Sequence, residues 1–269
     1  MPFAPSGLIT LMTDFGAADP FAGIVSGRIL SHFPAARIID LGHGMPMGRP
    51  DLAGFWLGRA WRDFPVGTVH LAIVDPGVGT ARRVLLALAA DRLLLAPDNG
   101  LLAEALRDCR PARYFAMSAS LPEKLGLTGI SQTFHGRDLF APLAAALTAG
   151  ALAPEDFGAE TAPADPAPLP NPARDAGGIS GEILLADHFG NLFTNIGASL
   201  VDSCRQPWAV VGPHSLPVQQ TYADAPHGAP LALVNAFGVL ELAVNGGSAA
   251  TELGLAPGTP VRLVDGLGA

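Results

Sequence analysis

The residues best suited to chemistry in this chain sit at turns that follow short apolar runs. The stretch HLAIVDPGVGTARR runs from His70 to Arg83. Its apolar residues 71–74, rich in β-branched side chains, predict a buried strand. Pro76 removes a ladder donor and Gly77 permits a sharp reversal, so the strand stops there. Asp75 is left at a strand's C-terminal end, the edge at which open α/β sheets bind ligands. Arg82 and Arg83 follow one short loop later. A carboxylate and a guanidinium flanking a glycine-rich loop can act as a positioned catalytic pair. The same letters also suit a plain strand end with a surface ion pair.

A second carboxylate is placed in the same way. Residues 7–12 predict a first strand, stopped by Thr13-Asp14-Phe15-Gly16. The letters DFG also occur in the magnesium loop of protein kinases. No Gly-rich loop, VAIK lysine or HRD segment accompanies them, so that match is discarded. Asp19-Pro20 reads as a helix start, with Asp19 as cap, for a helix reaching about His32. His43 follows a strand over 36–41, and a loop histidine is more often solvated or structural than a ligand contact. Asp138 is expected to cap a helix that ends at Gly150. His135 then feeds a helix N-terminus, a place that binds anions and depresses a histidine's pKa.

The elements that must hold these residues repeat as strand, polar loop, helix. A helix over 52–61, strands over 84–89 and 92–95 turning at Ala90-Asp91, the turn Pro97-Asp98-Asn99-Gly100 and a helix over 101–106 continue the pattern. This predicts a layered α/β domain over residues 1–160. Residues 161–178 carry Pro163, Pro166, Pro168, Pro170 and Pro172 with alanines between them, the composition of a semi-rigid linker. Beyond it, apolar runs at 179–185, 208–211, 231–235, 239–244 and 261–263 predict short strands. Residues 179–269 are therefore expected to form a small β-domain, a barrel or a sandwich.

Composition limits the function classes. With 269 residues, 49% hydrophobic and 15% charged, the chain can build a sizeable core. The net charge of −8 argues against a nucleic-acid backbone as partner and suits a cationic small ligand. Cys109 and Cys204 stand far apart, so neither a disulfide framework nor a cysteine metal site is expected. There is no basic n-region at the start and no apolar run of the roughly 18 residues a membrane helix needs. A soluble, cytoplasmic protein with no membrane partner is the expectation.

Six motifs in order add a resemblance. They are TDFG with Asp19, VDPGVGT with Arg82 and Arg83, PDNGLL, TFHGRDLFAP, DHFGNLFTN and NAFGVLELAVNGGSA. Together, over about residues 7–264, the chain resembles the adenosine-forming S-adenosyl-L-methionine (SAM) hydrolases, or SAM hydroxide adenosyltransferases. These are related to the fluorinating and chlorinating enzymes that use the same substrate. The resemblance implies an α/β N-terminal domain, a β-barrel-like C-terminal domain, and a homotrimer with sites between subunits. It places the catalytic Asp, Arg and His on Asp75, Arg82 and His135. It places the ribose acid on Asp14, the carboxylate for the substrate ammonium on Asp187, and the adenine contacts on Phe189 and Asn191. Asp19, Asn235 and Gly246 are further substrate-binding positions of these motifs. One departure is visible: the family's ribose-walling aromatic falls about where Gly48 stands here, with Met47 as a soft apolar substitute.

The implied chemistry is displacement at C5′ of a sulfonium, which expels a neutral thioether and needs no acid for its leaving group. A carboxylate that aims a water at that carbon supplies what the uncatalysed reaction lacks. No cofactor is expected, SAM being the substrate and adenosine and methionine the products. Halide transfer to C5′ is the alternative reaction, and the charge of Asp75 opposes it. A non-catalytic SAM or adenosine binder would keep Asp14, Asp187 and Asn191 without needing Asp75, Arg82 and His135 together. A metal hydrolase is disfavoured because no HExxH or paired His/Asp spacing occurs.

Overall fold

The computed structural model describes residues 3–164 and 169–266. The chain divides into two compact units, Met1–Pro168 and Leu169–Ala269.

The first unit is built on seven strands: β1 Leu8–Thr13, β2 Arg37–Gly42, β3 Val69–Ile73, β4 Val84–Ala89, β5 Arg92–Pro97, β6 Ala112–Met117 and β7 Gly158–Thr161. They are ordered β2-β1-β3-β5-β4-β6-β7. The first four in that order run parallel, and the β5–β4, β4–β6 and β6–β7 pairs are antiparallel. Apolar side chains alternate across this sheet and fill both faces. Ile9, Leu11, Leu71 and Ile73 bury against Val25 and Ile29 of the helix Phe21–His32 and against the helix Ala141–Thr148. Met12, Ala72 and Val74 face Leu57 and Trp61 of the segment that begins with the helix Pro50–Ala60, and Leu101 of the helix Leu101–Ala105. The result is three layers, as strand and helix periods predict. Each leucine so buried is worth about 2–5 kcal/mol against truncation to alanine.

Several local expectations are corrected. Pro20 takes the cap position of its helix and no side chain caps it, so Asp19 remains an exposed turn residue. Asp138 does not cap either: the helix starts earlier, with a single π-turn over Gly136–Phe140, and the Asp138 carboxylate takes Arg137 and the Ser131 N–H instead. The turn at Ala90-Asp91 is present, with positive φ at both residues.

In the second unit the strands are β8 Ala173–Asp175, β9 Gly178–Ala186, β10 Leu192–Gly197, β11 Pro207–Val211, β12 His214–Gln219, β13 Pro230–Val234, β14 Val239–Val244 and β15 Pro260–Asp265. Their order is β10-β14-β13-β12-β11-β15-β9-β8, and β10 also pairs with β9. That extra pairing closes seven of the strands into a barrel and leaves β8 outside on β9. Of the two expected forms, barrel and sandwich, the barrel is the one formed. Ile183, Leu192, Ile196, Leu240, Leu242 and Val261 belong to its apolar core. The span read as a linker carries strand residues at both ends, Thr161 in β7 and Ala173–Asp175 in β8. β8 is an edge strand, where a preceding Pro172 is tolerated. Its middle, with Pro166 and Pro168, lies outside the described residues. Among the described residues no helix is long and apolar enough to cross a membrane.

Candidate active site

β1 has β2 on one side and β3 on the other, so the chain reverses its direction of travel across the sheet at β1. The crevice beyond the carboxyl ends of such strands is where α/β sheets place ligands. Thr13 pairs with Ile73, so Asp14 and Asp75 both lie just past the carboxyl ends of neighbouring strands.

Asp75 is held by Arg82. The guanidinium Nε donates to both carboxylate oxygens, at 2.7 and 2.8 Å, and Nη2 donates to Oδ2 as well. The two side chains are only 9% and 7% exposed, which removes the reading as a surface ion pair. The same Nη2 lies 2.9 Å from His135 Nδ1. Arginine has donors only, so His135 must accept there and carries its proton on Nε2. Burial, and next the charge of Arg82, lower the His135 pKa, while Asp75 and Asp138 oppose the shift. The histidine is therefore neutral, with its tautomer fixed by the arginine. Asn99 Nδ2 donates to Val74 O at 2.8 Å and pins the end of β3. Arg83 turns away from this cluster to the buried Asp98 at 2.6 Å.

Asp14 accepts from the Gly48 N–H at 3.1 Å. Gly48 has φ +65°, and a Cβ there would meet only Pro76, at 4.0 Å. The loop reaches this position through His43, whose Nδ1 lies 2.9 Å from Thr13 Oγ1 and whose carbonyl accepts from Gly16 N–H at 2.6 Å. His43 is thus a structural clip, and Met47 is left largely exposed. Beside Asp14 and His135 in the chain, Phe15 and Phe134 form an edge-to-face trio with Phe21, centroids 5.5–6.1 Å apart. With Ser131, Thr133 and Arg137 these rings line a cleft of about 500 Å³.

In the second unit, Asp187 organises the hairpin between β9 and β10. Its Oδ1 accepts from the Phe189 and Asn191 N–H groups, each at 2.9 Å, and its Oδ2 from Asn191 Nδ2 at 3.3 Å. Phe189 is 73% exposed, so it is not barrel core, and His188 stacks edge-on to it. The Ala250 N–H donates to Gly190 O at 3.0 Å, which ties this hairpin to the NGGSA turn. Gly246 lies in that turn with φ +78°, where a Cβ would come 2.6 Å from His227 Nε2. Asn235 uses its amide locally: Oδ1 accepts from the Phe237 and Val239 N–H groups, and Nδ2 donates to Glu241 Oε2 at 3.0 Å. Glu241 is not among the site residues the motifs point to, although a lone carboxylate in the apolar run VLELAV is a sequence signal for a buried polar group.

Comparison with known proteins decides the family. Residues 9–158 match the SAM hydroxide adenosyltransferase N-terminal domain, and residues 181–262 match the C-terminal domain. The chain belongs to the SAM hydroxide adenosyltransferase family. A (R)-S-adenosyl-L-methionine hydrolase of Thermus thermophilus is 39% identical over 260 residues, 95% of this chain and 99% of that protein. A fluorinase of Actinopolyspora mzabensis is a more distant relative, 26% identical over 95% of this chain and 96% of that protein. A crystal structure of an uncharacterized conserved protein from Thermotoga maritima superposes with a TM-score of 0.86 at 30% identity, covering 95% of this chain and 99% of that one.

Within this family member, Asp75, Arg82 and His135 form one bonded cluster, and Asp14 lies at the adjoining strand end. Asp187, Phe189 and Asn191 share one hairpin, with Gly246 in the turn tied to it. Asp19 makes no bond with either group. Among the described residues no three His, Cys, Asp or Glu side chains gather as a metal ion would require.

Proposed function

We propose that this protein hydrolyses S-adenosyl-L-methionine to adenosine and L-methionine by attack of water at C5′. The observation that carries this reading is the Asp75–Arg82–His135 cluster at the strand edge, in a chain of this family. Arg82 occupies both Asp75 oxygens from one side, and the remaining lone pairs of the carboxylate are free to accept from a water. Neutral His135 offers Nε2–H as a second orienting group. Water attacks C5′ as the C–S electrons return to sulfur, methionine leaves as a neutral thioether, and the water's proton passes by way of Asp75 to solvent. Holding water and carbon in near-attack geometry is worth several kcal/mol, on the order of 7–11 in well-oriented cases. The carboxylate repels a halide, which disfavours halide transfer, and a mere binder would have no use for this cluster.

Asp14 serves the ribose diol, since one carboxylate accepts from both hydroxyls. Asp187 serves the ammonium group, with Phe189 and Asn191 toward the base. In this reading the working form is a homotrimer in which one chain's Asp75 cluster acts with a neighbour's Asp187 hairpin. The protein uses no cofactor and works in the cytoplasm, which its two free thiols, Cys109 and Cys204, support.

The test is turnover of SAM in ¹⁸O-labelled water, with both sulfonium epimers supplied because the relative's name specifies the (R) form. The expected result is label in the 5′-hydroxyl of adenosine and none in methionine. Asp75→Asn is expected to bind SAM while losing most turnover. Label in homoserine, release of adenine, or an Asp75→Asn variant as fast as the parent would overturn the reading.

A further inference from the structure

Glu241 lies in β14 between Leu240 and Leu242, both of which point into the barrel. By strand alternation its side chain points outward, yet the residue is only 1% exposed. Burying a carboxylate costs several kcal/mol unless good hydrogen bonds offset it, and an apolar side chain of similar size would fold without that cost. The bonds it makes are specific. Oε1 accepts from Tyr222 Oη–H at 2.6 Å and Oε2 accepts from Asn235 Nδ2 at 3.0 Å. Asn235 in turn holds the backbone of Phe237, its Oδ1 accepting from that N–H at 3.0 Å.

The register places this network beside the Asp187 hairpin. Phe193 pairs with both Leu185 and Glu241, so the three form a row across β9, β10 and β14, and Asp187 lies two residues beyond Leu185. Among the described residues of this unit, the large apolar side chains left exposed are Phe189 at 73%, Tyr222 at 42% and Phe237 at 41%. All three are tied to these two carboxylates: Phe189 through Asp187, Tyr222 directly to Glu241, and Phe237 through Asn235. Burial and the nearby charge of Asp187 raise the pKa of Glu241, against the opposing pull of its two donors.

We infer that Glu241 is a positioning residue, which holds Tyr222 and, through Asn235, Phe237 as exposed rings beside the Asp187 hairpin to receive the planar base of the substrate. This rests on the function proposed above. Exposed rings bind a flat ligand well only when their own freedom has already been restricted, and a buried acceptor supplies that restriction.

The test exchanges donor and acceptor. Glu241→Gln loses one acceptor, so Gln faces the Asn235 amide donor to donor. Combining Glu241→Gln with Asn235→Asp reverses the pair: the new amide donates, and the new carboxylate accepts from it and from the Phe237 N–H. Adenosine affinity is measured calorimetrically on the whole protein, with kcat and KM for SAM and the thermal midpoint alongside. Glu241→Gln should weaken adenosine about tenfold, the scale of one lost hydrogen bond to a charged group. Its kcat should stay within about twofold. The double variant should recover part of the affinity that Glu241→Gln loses. Tyr222→Phe, a change at a half-exposed ring, should weaken adenosine by a few-fold and keeps the test open if Glu241→Gln does not fold. Parent-like affinity in Glu241→Gln or in Tyr222→Phe would overturn the inference. So would a double variant that folds at the parent's midpoint but stays as weak as the single. A parent that binds neither SAM nor adenosine would overturn the proposed function itself, and this inference with it.

Discussion

His70 provides a quantitative test of the layered first unit. It stands in β3 opposite Thr10 of β1, wholly buried, with Nδ1 2.8 Å from Thr10 Oγ1. Phe64 and Trp61 approach its ring edge-on at 5.5 and 6.5 Å, and Nε2 has no partner among the described residues. Burial, with a smaller push from Arg92, lowers its pKa to about 3. In the unfolded chain a histidine titrates near 6.5. The folded value lies below the unfolded one, so the unfolded chain holds more protons between them. The contribution is fully present above about pH 6.5 and is lost as the pH falls toward 3. At about 1.36 kcal/mol per unit, the loss between pH 7 and 4.5 comes to about 2.5 kcal/mol. His70→Gln keeps a partner for Thr10 and does not titrate. Urea unfolding of both proteins across that pH range, in a Trp208→Phe background, leaves Trp56 and Trp61 as the fluorescent reporters of the first unit. The stability of the parent should fall more steeply than that of the variant, by close to one proton's slope. Two curves that fall in parallel would refute the reasoning.

Other consequences are as direct. Arg82→Gln removes a cation that lowers the His135 pKa, so the acid limb of kcat/KM should move to higher pH, at reduced rate; a limb that stays or moves lower would contradict the assignment. Asp14→Ala should weaken SAM and adenosine alike by about 1.5–3 kcal/mol in a binding titration, and unchanged adenosine affinity would remove it from the site. Gly48→Asn, which tolerates a left-handed backbone, should keep more of that affinity than Gly48→Ala. Inactive Asp75→Ala and Asn191→Ala chains, dissociated and reassembled together, should recover part of the activity if the site is shared; mixed assemblies without activity would place it in a single chain.

Much of the first unit is legible in the sequence because Asp14 and Asp75 each end an apolar run at a turn former. Strand ends of that kind need no long-range information. The link from Arg82 to His135 spans 53 residues and depends on the loop after β3 and the segment before Gly136 coming together, which no local pattern encodes. The expected Asp138 cap fails for a related reason. A side chain with a better partner abandons the cap, as Asp138 does for Arg137 and Ser131. β10 and β12 escape periodicity because polar residues break their apolar runs, Thr194-Asn195 in β10 and His214-Ser215 in β12, and Pro217 interrupts β12 in a way that usually marks a turn.

Closure of the barrel is the feature local reading reaches least, and it explains why the Asp187 hairpin is well placed. β9 pairs with β8 through residues 178–180 and with β10 through Ile183, Leu185 and Ala186, so one nine-residue strand serves two neighbours in succession. The β9–β10 pair is also the one that closes the barrel. The turn joining those two strands therefore has both its ends fixed by the whole ring of strands and not by a single ladder. A barrel whose interior is filled with Leu, Ile and Val leaves polar groups only its rim and outer surface. Asp187 sits in the first of these places and Glu241 in the second, and the same strand register holds the two carboxylates together.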